Sequence, residues 1–127
     1  MELSAVQFLG FVEQPELARA CAAADVLLFP SLQDEFGFVL LEGQAAGLAC
    51  IASPFAGATE DLVVDHVSGL VVDPRDQAAL AGALGALARD PGLCRSLGAV
   101  AHEASLDRTP RATAEGYLAA AIAAARS

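Results

Sequence analysis

Lysine is absent from this 127-residue chain, and 7 arginines face 16 Asp and Glu residues for a formal net charge of -9. That imbalance excludes the continuous basic stripe needed to bind a phosphate backbone, so nucleic acid is not an expected partner. Adsorption to an anionic membrane surface is disfavoured for the same reason. Cysteine is scarce: Cys21, Cys50 and Cys94 lie far apart with no C-x-x-C pairing. The odd count and the missing spacing exclude a disulfide framework and a zinc site, leaving reduced thiols that act as small buried hydrophobes. No metal and no cofactor is expected. Long hydrophobic runs are missing too. The longest, Tyr117 to Ala125, falls far short of the roughly 20 residues of a membrane helix. Met1 to Ser4 lack the basic and apolar regions of a signal peptide, so the default expectation is a soluble cytoplasmic chain.

What the chain does have is apolar material. The hydrophobic fraction is 55% with only 6% aromatics, so alanine carries much of it, and mean hydropathy is +0.50. This supports a real core and excludes intrinsic disorder. The length suits one domain, residues 1–127.

Along the chain, strand-like and helix-like patterns alternate. Ala5 to Leu9 reads as a strand ended by Gly10, and Pro15 opens a helix through Ala23 with Glu16 in its first turn. Val26 to Phe29 is a continuous apolar run stopped by Pro30, the pattern of a parallel strand buried on both faces. A helix follows over 37–46 with Gly47 as its stop, then a strand over 49–52. Thr59 starts a short helix, and Leu70 to Val72 form the fourth strand. Helices over 76–89, 91–105 and roughly 110–126 close the chain, and their alanines allow close packing on the sheet. The expected fold class is α/β, a partial Rossmann-like, doubly wound parallel sheet of about four strands with helices on both faces.

In open parallel sheets ligands lie beyond the carboxyl ends of the strands. That singles out the loops at 30–36, 53–59 and 73–75, of which the first is the richest. Asp34 lies in that loop, and Glu42 lies about a turn and a half into the next helix, near the face of Phe38. A carboxylate among Val39, Leu40 and Leu41 needs a hydrogen-bond donor, and vicinal ribose hydroxyls are one natural choice. Backbone N–H groups of Phe36, Gly37 and Phe38 at the helix start offer donors to phosphate or sugar oxygens, and Gly37 permits close approach. The same spacing is met equally by Asp34 as a helix cap with Glu42 solvated.

Several ordered motifs bear on that choice. Residues 24–31 read as a strand followed by Pro30-Ser31, and Asp34 to Gly43 follow as D-E-F-G-F-V-L-L-E-G. Phe8-Leu9-Gly10 stands upstream, with Ser53 to Glu60 and Gly69 to Asp76 downstream. Over about residues 5–105 this resembles the donor-binding region of retaining GT-B glycosyltransferases with the E-x7-E motif, a family that includes bacterial α-mannosyl- and glucosyltransferases and glycogen synthase. The resemblance implies the C-terminal half of a GT-B architecture, moving a hexosyl group from a UDP-, GDP- or ADP-sugar to an acceptor with retention. It implies that Glu42 binds ribose hydroxyls and that Asp34 contacts the donor sugar, with no side-chain nucleophile required. Phe36, Gly37 and Val39 match the loop and helix start whose amides approach the sugar and diphosphate, and Leu41 matches the base and ribose side. Glu60 matches a later acid of structural character.

Departures from the family pattern matter as well. The first acid is Asp34 rather than Glu, Glu35 stands where Thr or Ser is usual, and Ala56 replaces a Gly. His66 and His102 read as surface positions. The family's N-terminal acceptor domain has no counterpart, nor do the two strands that carry a basic pair for the diphosphate. Residues 30–74 contain neither Arg nor Lys. The expectations are a truncated donor-binding domain that is inactive or weakly binding alone, and a 5–9 strand that either pairs with 26–29 or leaves an open, association-prone edge. The alternatives are a non-catalytic relic, or one half of a split transferase needing a partner chain. An epimerase of the same fold suits the Glu42 motif less well.

Overall fold

Most apolar runs bounded by Gly, Pro or Asp become elements in the computed structural model, which describes residues 5–126. In chain order these are α1 (Gln14–Ala23), β1 (Val26–Phe29), α2 (Phe38–Ala45), β2 (Ala49–Ala52), α3 (Gly57–Leu62), β3 (Leu70–Val71), α4 (Gln77–Arg89), α5 (Pro91–Ser105) and α6 (Pro110–Ala125). The reading of Met1 to Ser4 as free of a leader lies outside the described residues. Among the described residues no helix is long and apolar enough to cross a membrane.

The strands form one parallel sheet in the order β1-β2-β3, with Leu27 opposite Cys50 and Ile51 opposite Leu70. β2 is central and every one of its residues is buried, which is why its sequence is apolar throughout. Its side chains alternate between two cores. Cys50 and Ala52 pack with Leu40 of α2 and Ala58 and Leu62 of α3 on one face. Ala49 and Ile51 pack with Leu87 of α4 and Cys94 and Leu97 of α5 on the other. Leu40, Ile51 and Leu87 are almost completely removed from water, each contributing roughly 1.5–3 kcal/mol. Gly98 lets α5 lie directly on the chain entering β2: a Cβ there would overlap the Gly47 carbonyl oxygen. Helices thus cover both faces, as the alternating pattern predicts.

The helix starts follow local chemistry. The side chains of Asp76, Asp90 and Thr109 accept hydrogen bonds from the backbone N–H three residues on, at 2.9, 2.9 and 3.1 Å. Prolines occupy the first turns of α1, α5 and α6, where a missing N–H costs nothing.

Three expectations change. Residues 5–9 form no strand, so the sheet has three strands rather than about four, and the outer edge of β1 carries no partner among the described residues. A strand exists only where its backbone groups find a ladder, and here Phe8 is 89% exposed with no neighbouring edge. The helix expected from Gly37 begins at Phe38, because Gly37 adopts φ +76° and serves as the cap. Finally, α6 buries no residue: it does not pack on the sheet, and Tyr117, Leu118 and Ile122 remain exposed.

Candidate functional site

All three loops at the carboxyl end of the sheet lie on one side, and two of them are bonded together. The backbone N–H of Gly57, after β2, donates to the Asp34 carbonyl at 2.8 Å. Asp34 and Ala56 form an isolated parallel bridge. Within the second loop, Ser53 is buried and accepts from the Thr59 hydroxyl at 2.7 Å through its carbonyl and from the Phe55 N–H at 3.1 Å through its hydroxyl. This rigid turn backs the loop that carries Asp34.

Asp34 is half-buried, and its Oδ1 accepts from the Phe36 N–H at 3.0 Å. The side chain thus stabilises its own loop, and the Phe36 amide is already engaged. The N–H groups of Gly37, Phe38 and Val39 have no acceptor among the described residues, so three free donors stand at the start of α2. Gly37 is required there: a Cβ would meet the Phe29 ring at 2.9 Å, in a left-handed backbone that other residues rarely adopt.

Glu42 is half-buried on α2, and Gln14 Nε2 of α1 donates to its Oε1 at 3.2 Å. The donor that the sequence demanded for this carboxylate is therefore, in part, a side chain 28 positions away. Phe38 and Glu42, one turn apart, line different clefts. The Phe38 ring lies 4.5 Å from Phe36, facing a cleft of about 850 Å³ shared with Leu41, Leu62 and Tyr117. Glu42 lines a smaller cavity of about 280 Å³ with Gln14, Leu17 and Cys21.

Arg75, in the third loop, was not singled out by sequence reasoning. Its guanidinium stacks 4.5 Å over Phe55 and makes a two-point ion pair with Asp73, whose nearest N···O distance is 2.7 Å. Hydrogen bonds from the Arg75 side chain and backbone hold the Asp73 carboxyl below its ordinary range. This cation borders the loops with its charge already balanced. The D-P-R order of residues 73–75 places the two charges close in sequence but carries no sign of the stacking on Phe55. Glu60 lies exposed in the first turn of α3. His66 is an exposed turn residue with φ 60°. His102 Nδ1 donates to the Ala45 carbonyl at 2.8 Å, capping the end of α2. All three cysteines are free and buried. No group of three or more His, Cys, Asp or Glu residues among the described residues is placed to hold a metal ion.

Comparison with known proteins gives this architecture a family. Residues 2–90 match the family described as Glycosyl transferases group 1. The chain is 40% identical over 119 residues to a D-inositol 3-phosphate glycosyltransferase of Streptomyces scabiei, covering 91% of this chain and 26% of that protein. The namesake of Acidothermus cellulolyticus is 44% identical over 100 residues, covering 77% of this chain and 22% of the relative. The chain thus spans about a quarter of the length of these curated relatives.

Among solved structures, sucrose-phosphate synthase from Thermosynechococcus elongatus superposes with a TM-score of 0.79 at 32% identity, over 94% of this chain and 30% of that one. The C-terminal domain of a glycosyl transferase group 1 family protein from Francisella tularensis gives 0.70 at 28%, over 76% and 50% of the two chains. Anabaena HepE, solved with UDP-glucose, shares the fold with a TM-score of 0.81 at 24% identity, over 95% of this chain and 33% of its own. The sheet, its helices and their order are those of a GT-B C-terminal domain, and the chain belongs to the glycosyl transferases group 1 family.

Proposed function

We propose that residues 1–127 form the nucleotide-sugar donor-binding domain of a retaining glycosyltransferase that moves a hexosyl group from a UDP-, GDP- or ADP-sugar. The observation that carries this reading is the position of Glu42. Its carboxylate stands on the first turns of α2, beside a cavity, on the helix whose free Gly37, Phe38 and Val39 amides open toward the carboxyl end of the sheet. Glu42 accepts from ribose hydroxyls, the amides meet diphosphate or sugar oxygens, and Asp34 contacts the donor sugar. Phe36 and Leu41 supply apolar wall. These groups bind and orient the donor, and no nucleophile comes from this domain.

Electrostatics limits the strength of that site. Residues 30–74 hold no Arg or Lys, and Arg75 is already paired with Asp73. Helix-terminal amides contribute on the order of 1 kcal/mol each, so the isolated chain binds sugar nucleotides with a Kd of about 1 mM or weaker. The test is ligand-observed NMR of the chain and its Glu42→Ala variant with UDP-, GDP- and ADP-glucose. A weak signal that disappears in the variant supports the reading. Its absence for every sugar nucleotide overturns the reading, and a micromolar Kd by calorimetry overturns the affinity limit alone.

A second reading, one half of a split transferase that works with a partner chain, is favoured by the open outer edge of β1 and the exposed Phe8 and Phe11. For the complete enzyme, the name borne by relatives 40–44% identical makes D-inositol 3-phosphate the acceptor to test first.

A further inference from the structure

We infer that Gln14 and Glu42 work as a single reading unit for a vicinal diol, with Gln14 setting which Glu42 oxygen is offered to the ligand. The inference rests on the donor-site reading above and adds a residue and a selectivity to it.

A carboxylate can only accept, so the Gln14 amide must present its nitrogen to Glu42 Oε1, as the 3.2 Å contact shows. That leaves Glu42 Oε2, the Gln14 carbonyl oxygen and one Gln14 N–H with no protein partner among the described residues. The remaining walls of the 280 Å³ cavity are apolar, formed by Leu17, Ala18, Cys21, Ala45 and Ala46. Two polar groups fixed side by side over an apolar floor complement a group with two adjacent hydroxyls on a carbon ring. One hydroxyl donates to Glu42 Oε2, and its neighbour donates to the Gln14 carbonyl or accepts from the spare N–H. Gln14 is exposed and Glu42 is half-buried at the edge of the cavity, so a ligand reaches the pair without displacing core residues. By turning its nitrogen to one oxygen, Gln14 also holds the carboxylate in a single rotation, leaving the second oxygen available.

A site built to hydrogen-bond a hydroxyl discriminates against the analogue that lacks it. A structural tie between α1 and α2 would show no such selectivity. The test titrates the 127-residue chain with ADP, GDP and UDP and with their 2′-deoxy counterparts, following protein amide shifts by NMR. Gln14→Ala and Glu42→Ala are measured in parallel, with circular dichroism to verify that each is folded. The expected result is a ribo-over-deoxy preference on the order of tenfold for the unchanged chain, collapsing toward one in both variants. Preference retained in Gln14→Ala, or none in the unchanged chain despite Glu42-dependent binding, overturns the role of Gln14 and leaves the donor site standing. No Glu42-dependent binding by any nucleotide overturns both.

Discussion

The backbone N–H of Gly57 donates to the carbonyl oxygen of Asp34 at 2.8 Å, tying the loop after β2 to the loop after β1. Gly57 is where it is because a Cβ at that position would overlap the Glu35 carbonyl oxygen. The position of Asp34 therefore depends on a residue that carries no functional group.

Gly57→Ala is expected to force the two loops apart. Overpacking of this kind costs about 1–3 kcal/mol, read as a lowered denaturation midpoint. It should also shift the NMR signals of residues 34–37 and leave those of α5 unchanged. Ala58→Gly, one residue on, serves as a control that leaves the Gly57–Asp34 bond in place.

The three buried thiols are expected to resist modification. Burial pushes the Cys50 thiol up to about 12 from its ordinary value of 9.0, with Cys21 nearby adding to the rise. At pH 8 a thiol reagent should label the native chain slowly and all three cysteines at once after unfolding. Because the folded chain holds the proton to higher pH than the unfolded chain, the Cys50 contribution to stability falls as pH rises past 9.0 toward about 12. Cys50→Ala should remove that part of the alkaline slope.

The Asp73–Arg75 pair has the opposite sign. Its carboxyl is held low by Arg75, so the stabilisation is present above the ordinary Asp range and is lost as pH falls through the lowered value. A carbon-detected NMR titration should show Asp73 titrating below the ordinary Asp range, and Arg75→Ala should return it to that range. Both side chains are solvent-accessible, so the effect on overall stability is small.

The free edge of β1 predicts association of the isolated chain. Among the described residues its outer side has no ladder partner, and Leu28 is 38% exposed. Size exclusion should give a concentration-dependent apparent mass, with Leu28→Lys shifting the chain toward monomer. A sharp monomer at all concentrations for the unchanged chain would count against it.

Much of the fold is legible along the chain because its signals are local. The runs at 26–29 and 49–52 and the helix from Pro91 to Ser105 occur with the bounds that apolar patterning, glycine stops and aspartate caps imply. The family, too, is carried by short ordered motifs, whereas the spacing of Asp34 and Glu42 alone fits a helix cap with a solvated carboxylate as well as a ligand-binding pair. The α/β class and the covering of both sheet faces follow from the uninterrupted apolar character of β2.

Other features needed the third dimension, since each depends on a partner distant in sequence. Ala5 to Leu9 has a strand's composition, but a strand is defined by pairing, and no edge lies beside it. α6 has apolar residues in abundance, yet burial depends on a surface to meet, and none of its residues finds one. Nothing local links Gln14 to Glu42 or Arg75 to Phe55: helix packing and loop closure bring them together. The absence of lysine that marks the sequence acquires its meaning in the same way. Composition sets the charge imbalance, whereas the folded loops show that Arg75, beside the candidate site, is already paired with Asp73.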